Sequence, residues 1–143
     1  MKKKLIFILL MLFCVGVLWA AGDETVSQVF KRKPKYSNRV WENVITAVYD
    51  TDDTNDVTQA VTVNGTIQKV VLEAPTATNT ITYQVQILDD NDVIIFDSGE
   101  QAEATDYAFS LSEPVTGTID VVIGVSDVIG ATNPDIVVTL RGI

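Results

Sequence analysis

The sequence predicts an all-β protein, a single antiparallel β-sandwich of jelly-roll-like kind with about eight short strands. Three observations carry that prediction. Apolar and polar residues alternate with a period of two through much of the chain beyond Val40, which places one set on one face of a strand. The same region is rich in Val, Ile and Thr, whose branched side chains suit a pleated surface. Asn, Asp, Gly and Pro punctuate it at short intervals, and no stretch of useful length there follows the period of a helix.

The N-terminus is organised differently. Lys2, Lys3 and Lys4, the apolar run Leu5 to Trp19, and small Ala20, Ala21 and Gly22 have the three parts of a secretory signal peptide. Residues 1–21 therefore read as a signal peptide or, if retained, a membrane anchor helix; a buried hydrophobic arm of a protein assembled in the cytoplasm is the third reading. Phe13 before Cys14 argues against a lipoprotein site. Residues 22–39 read as a basic extended arm or linker. Lys31, Arg32, Lys33 and Lys35 cluster around Pro34, which blocks helix continuation, and the segment lacks the apolar periodicity of a packed element.

The β-domain, 40–143, begins with Val40 to Tyr49, carrying Trp41, Val44, Ile45 and Val48. After the polar loop Asp50 to Asp56, Val57 to Val63 alternates. Asn64-Gly65 then signals a two-residue hairpin, with Thr66 to Ala74 returning. Ile81 to Ile87 alternates again. Asp89, Asp90, Asn91 and Asp92 turn the chain, and Val93 to Phe96 returns. Tyr107 to Leu111 ends at Glu113-Pro114; Thr118 to Val125 and Ile136 to Arg141 complete the set.

Charge and composition exclude several chemistries. Residues 1–39 hold eight Lys or Arg against two acids, whereas the rest holds Lys69 and Arg141 against seventeen, for a net −9. A surface that negative repels phosphate backbones, so nucleic acid is not an expected partner. Histidine is absent and Cys14 is the single cysteine, which removes imidazole-based triads and Cys/His zinc sites. No cofactor and no enzymatic activity are expected.

Two constellations invite a functional reading. Asp50, Asp52, Asp53 and Asp56 supply the oxygen ligands of a weak calcium site, but the loop lacks the turn glycine and has Val61 at its twelfth position, so it is no EF-hand. A solvated turn explains it better, and the turn at Asp89, Asp90 and Asp92 reads the same way. Among the aromatics, Tyr83, Tyr107, Phe96 and Phe109 fall on strands where burial accounts for them. Trp41, Tyr36 and Tyr49 remain near the arm as packing residues of a core or an interface. Lys31, Arg32, Lys33, Lys35 and Trp41 are the candidate interaction residues, for an arm that docks on an acidic surface of a second copy.

In arrangement, GTIQKVVLEAP, TITYQVQILDDNDVIIFDSG, PVTGTIDVVIGVSD and the closing DIVVTLRGI resemble small β-sandwich proteins encoded among the structural genes of tailed bacteriophages. That resemblance implies a virion component and brings no catalytic residues. The expectation is a non-enzymatic structural or interaction protein, exported or in a virion. It would contact protein subunits, a homo-oligomer among them, and touch membrane only through an uncleaved N-terminus. The alternative is a secreted module that binds a carbohydrate or cell-surface ligand.

Overall fold

The computed structural model describes residues 25–32, 40–50, 52, 54–130 and 135–143, without the side chains of 25 and 30–32. The signal or anchor segment, Lys33, Lys35, Tyr36 and Asp53 lie outside the described residues. What is described is all-β, in one antiparallel sheet of eight strands. They are β1 (Thr25–Arg32), β2 (Trp41–Val48), β3 (Val57–Ala74), β4 (Thr82–Leu88), β5 (Ile94–Asp97), β6 (Gln101–Ala102), β7 (Thr105–Val125) and β8 (Asp135–Gly142). Their spatial order is β1-β2-β8-β3-β7-β4-β5, with β6 beside β4.

The two long strands determine the architecture. β3 has 18 residues and β7 has 21. A fully extended strand of 18 residues spans roughly 60 Å, whereas a domain of about 100 residues has a radius of gyration of only about 13 Å. Such strands must therefore bend, and each contributes to two layers. One layer is β1, β2, β8, the second half of β3 and the first half of β7. The other is the first half of β3, the second half of β7, β4 and β5. Between them lies one apolar core that includes Ile45, Tyr49, Ile67, Leu72, Tyr83, Ile123 and Leu140. The Tyr49 hydroxyl, at the end of β2, donates to the Ile123 carbonyl oxygen of β7 at 2.6 Å and ties one layer to the other.

Strand count agrees with expectation, but the strands are not the expected eight. Asn64-Gly65 does not turn the chain, because β3 continues through it, paired Asn64 to Thr116 and Gly65 to Val115. A type I′ turn needs positive φ at both central residues, and only Gly65 has it, at φ 142. Glycine is required there for close approach instead. A Cβ on Gly65 would overlap the Ile143 carbonyl and lie 3.3 Å from Trp41 Nε1. The inward set passes from Val61, Val63 and Ile67 to Val70, Leu72 and Ala74, and the change of parity falls at a β-bulge between Ile67 and Lys69.

Nor does Pro114 end a strand, since β7 runs through it. Thr66 directs its N–H and C=O to Ile143 at 2.8 and 3.0 Å, so its pair with Pro114 needs no donor from the proline. On the other flank of β7, β4 pairs only with Asp120 to Val125.

The segment read as an arm also changes in part. Thr25–Arg32 is an edge strand, with Val29 opposite Val44 and Lys31 opposite Glu42. Edge pairing is made by backbone groups, so it needs no apolar periodicity in the sequence. The hairpin at Ile81 to Gly99 stands as expected, with Asp92 at φ 60 in its turn.

Candidate interaction surface

On the solvent side of the five-stranded layer, residues directly opposite one another line up across the strands. Val29 faces Val44, Val44 faces Thr139, Thr139 faces Val71, and Val71 faces Ala108. An antiparallel sheet with one wet face is expected to be polar there, but this row is apolar or β-branched. Val29 is 51% exposed, Val44 and Val71 are half-buried, and Thr139 sits low between them at 6%.

Charge is arranged on either side of that row. Two residues along the strands in one direction stand Glu42, Arg141 and Lys69, aligned in register. Arg141 Nε donates to Glu42 Oε2 at 2.9 Å in an exposed ion pair. Two residues in the other direction stand Thr46, Val137, Glu73 and Asp106. The row is thus apolar or β-branched, flanked by a side on which Lys31, Arg141 and Lys69 share a register with Glu42 and by a side bearing carboxylates alone. Sequence reasoning missed it, although a signal exists. Val44-Ile45, Val70-Val71 and Val137-Val138 each break the alternation, placing one apolar residue inward and the next outward.

A second surface lies at the seam where β5 meets the first half of β7. Phe96 and Phe109 are edge to face at 5.4 Å, and Tyr107 stacks on Phe109 at 6.4 Å and 17°. The expectation that burial explains these aromatics holds fully for Tyr83, which is 0% exposed, and in part for Phe96, Tyr107 and Phe109, which are half-buried and pack against the edge of the core. They lie where two edge strands meet, which leaves them partly exposed. The opposite seam is polar, with Gln59 Nε2 of β3 donating to Gln28 Oε1 of β1 at 3.4 Å.

Several predicted site residues occupy other places. Trp41, expected among the interaction residues, is 7% exposed and its ring lies against Gly65 and Gly142, so it packs in the core of its own chain. Its Nε1 has no hydrogen-bond partner, nor has either side-chain polar atom of Asn43, which is 0% exposed. Lys31 and Arg32 fall on β1 in register with Glu42 and Trp41.

Of the calcium candidates, Asp52 and Asp56 are exposed and Asp50 is half-buried, with Asp53 outside the described residues. Among the described residues no three His, Cys, Asp or Glu gather at a spacing that could hold a metal. In the β4–β5 turn, Asp89 Oδ1 accepts the backbone N–H groups of Asn91 and Val93, each at 2.9 Å. Those bonds, that to Val93 foremost, hold its carboxyl below the usual value. Asp97 is lowered likewise, first by Gln84 and then by Gln86 and Gly99. Burial, with the Glu103 charge adding to it, pushes the Tyr83 phenol up to about 12, and that hydroxyl donates to the Pro75 carbonyl at 3.0 Å.

No protein-family model matches the sequence, and no curated protein matches it. Among solved structures the chain is similar to a CBM4 carbohydrate-binding module, at 11% identity and TM-score 0.45, over 87% of this chain and 81% of that one. It is also similar to the enzymatically active domain of bacteriophage CBA120 tailspike protein 4, at 15% identity and TM-score 0.36, over 85% of this chain and 18% of that one. A third similarity is to infectious bursal disease virus, Gx strain, at 14% identity and TM-score 0.36, over 85% of this chain and 37% of that one. The chain spans less than half of the latter two. These neighbours are β-rich, jelly-roll-like folds, and at such identities the likeness concerns fold alone. No sequence-level phage family is shown.

Proposed function

We propose that this chain is a non-enzymatic structural and interaction protein, a subunit of a virion or surface assembly that acts through protein–protein contacts. One observation supports the reading: the row Val29, Val44, Thr139 and Val71 on the solvent side of the five-stranded layer. β-branched residues on an outer sheet face gain free energy when a partner removes them from water, at about 25 cal/mol per Å² of apolar area. The partners are protein subunits, with nucleic acid disfavoured by the net charge of −9. The setting is a virion or an exported location, with the N-terminal segment the one route to membrane contact.

A second reading has its own observation. Tyr107 stacked on Phe109, both half-exposed, offers ring faces suited to an apolar or sugar surface, as in a secreted carbohydrate- or cell-surface-binding module. Mass spectrometry of producing cells, separated into gradient-purified particles, envelope and soluble secreted fractions, discriminates the two. The assembly reading predicts recovery with other particle or surface proteins at a fixed copy ratio. Recovery solely as a free chain that binds a glycan array would overturn it in favour of the second.

A further inference from the structure

We propose that the outer face of the five-stranded layer is an interface between two copies of this chain, related by a two-fold axis that runs along the row Val29, Val44, Thr139 and Val71. The inference rests on the reading of the chain as an interaction protein and names its partner. Its basis is the charge on β3. Lys69 and Glu73 stand two residues either side of Val71 on the same face, each about 6.6 Å along the strand from it.

A two-fold axis along the row keeps every strand over its own counterpart and reverses its direction. Val71 then meets Val71 of the second copy, and Lys69 meets the second copy's Glu73, twice by symmetry. The remaining pairs follow from the same register. Arg141 falls over Val137, Glu42 over Thr46, Ser110 over Asp106 and, by backbone register, Lys31 over Ser27 of the other copy. No like charges oppose one another in that set. The arrangement with the axis parallel to the strands through β8 sets Glu42 over Lys69 twice but also Arg141 on Arg141, whereas the axis along the row gives two opposite-charge contacts with no like pair.

Size agrees with a reversible contact. Five strands spaced about 4.8 Å apart, over six to seven residues, present roughly 500 Å² of flat area per copy, against the ~800 Å² per partner of a standard stable interface. Association is therefore concentration-dependent, with the Lys69–Glu73 contacts fixing orientation more than strength.

The experiment is sedimentation velocity over a concentration series, on the chain as it accumulates in producing cells and on two exposed-face variants, Lys69→Glu and Glu73→Lys. Circular dichroism and melting temperature establish that each variant is folded. The wild type is expected to pass from monomer to dimer. Each variant alone places like charges together at both symmetric contacts and dimerises roughly tenfold more weakly or worse. An equimolar mixture of the two restores the dimer, because a face carrying carboxylates at both positions then meets a face carrying ammonium groups at both. A mixture that stays monomeric while both variants are folded overturns the proposal. So does a wild type that is monomeric throughout. If that monomer still enters particles with other proteins, the self-contact fails and the interaction reading survives; if it enters none, both fail. An effect of Lys69→Glu without one of Glu73→Lys would point to the strand-parallel axis and also overturn it.

Discussion

Trp41 lies across Gly65, with its Nε1 3.3 Å from where a Cβ on that glycine would sit, and a Cβ there would overlap the Ile143 carbonyl. This contact pins the start of β2, the middle of β3 and the C-terminal residue together. Gly65→Ala must displace backbone and also strain a residue at φ 142. It is expected to cost about 2–4 kcal/mol. Urea denaturation measures this; a loss within experimental error would mean that the close approach relaxes freely.

Asn43 is fully buried, and both polar atoms of its amide lack partners. Burying an amide without compensation costs about 1–3 kcal/mol. Asn43→Leu, of similar volume, is therefore expected to raise stability by about that amount in thermal or chemical melts. A destabilised variant would show that an internal water or another group uses the amide.

Tyr49 joins the layers through its 2.6 Å bond to the Ile123 carbonyl. Tyr49→Phe keeps the ring in the core and removes the donor, with an expected loss of about 1–2 kcal/mol. Hydrogen exchange should report the same change as lower protection at the end of β2. Unaltered stability and exchange would make the bond incidental.

Acid should act through Asp89 and Asp97. Both have folded-state values below the ordinary 3.8, so each binds its proton less readily when folded than when unfolded. Their stabilisation is complete above that ordinary value and is lost as pH falls through the lowered folded one. The urea midpoint is thus expected to decline below about pH 4. In Asp89→Ala the decline should be shallower, and an identical acid profile would remove Asp89 from the account.

How much of this was legible differs by element. The β4–β5 hairpin is readable because strict alternation, Tyr83, Val85 and Ile87, runs into four turn-forming residues, the first of which, Asp89, caps the backbone of the turn with its side chain. Asn64-Gly65 misled because glycine serves two needs, a turn or a close approach. The one made here depends on Trp41 and Ile143, which are distant in sequence. Pro114 misled similarly, since a missing donor matters only where a neighbouring strand would accept it. β1 gave little sign of itself, being held by backbone bonds to β2. The outer valine row is faint in the sequence because alternation is the rule for a half-buried strand, and Val70-Val71 and Val137-Val138 depart from it by a single residue each. Phe96, Tyr107 and Phe109 lie on strands as their spacing predicts, and their partial exposure arises from the position of those strands at a seam.

The central claim is that the outer face of the five-stranded layer makes the protein's contacts. Its most direct test is to co-produce wild type and Val71→Arg and measure their ratio, by mass spectrometry, in the assembled and free fractions. The substitution places a charge in the middle of the apolar row without touching the core, so the variant should fold as the wild type does. The account predicts marked depletion of the variant from the assembled fraction relative to the free one. An equal ratio in the two fractions would contradict it.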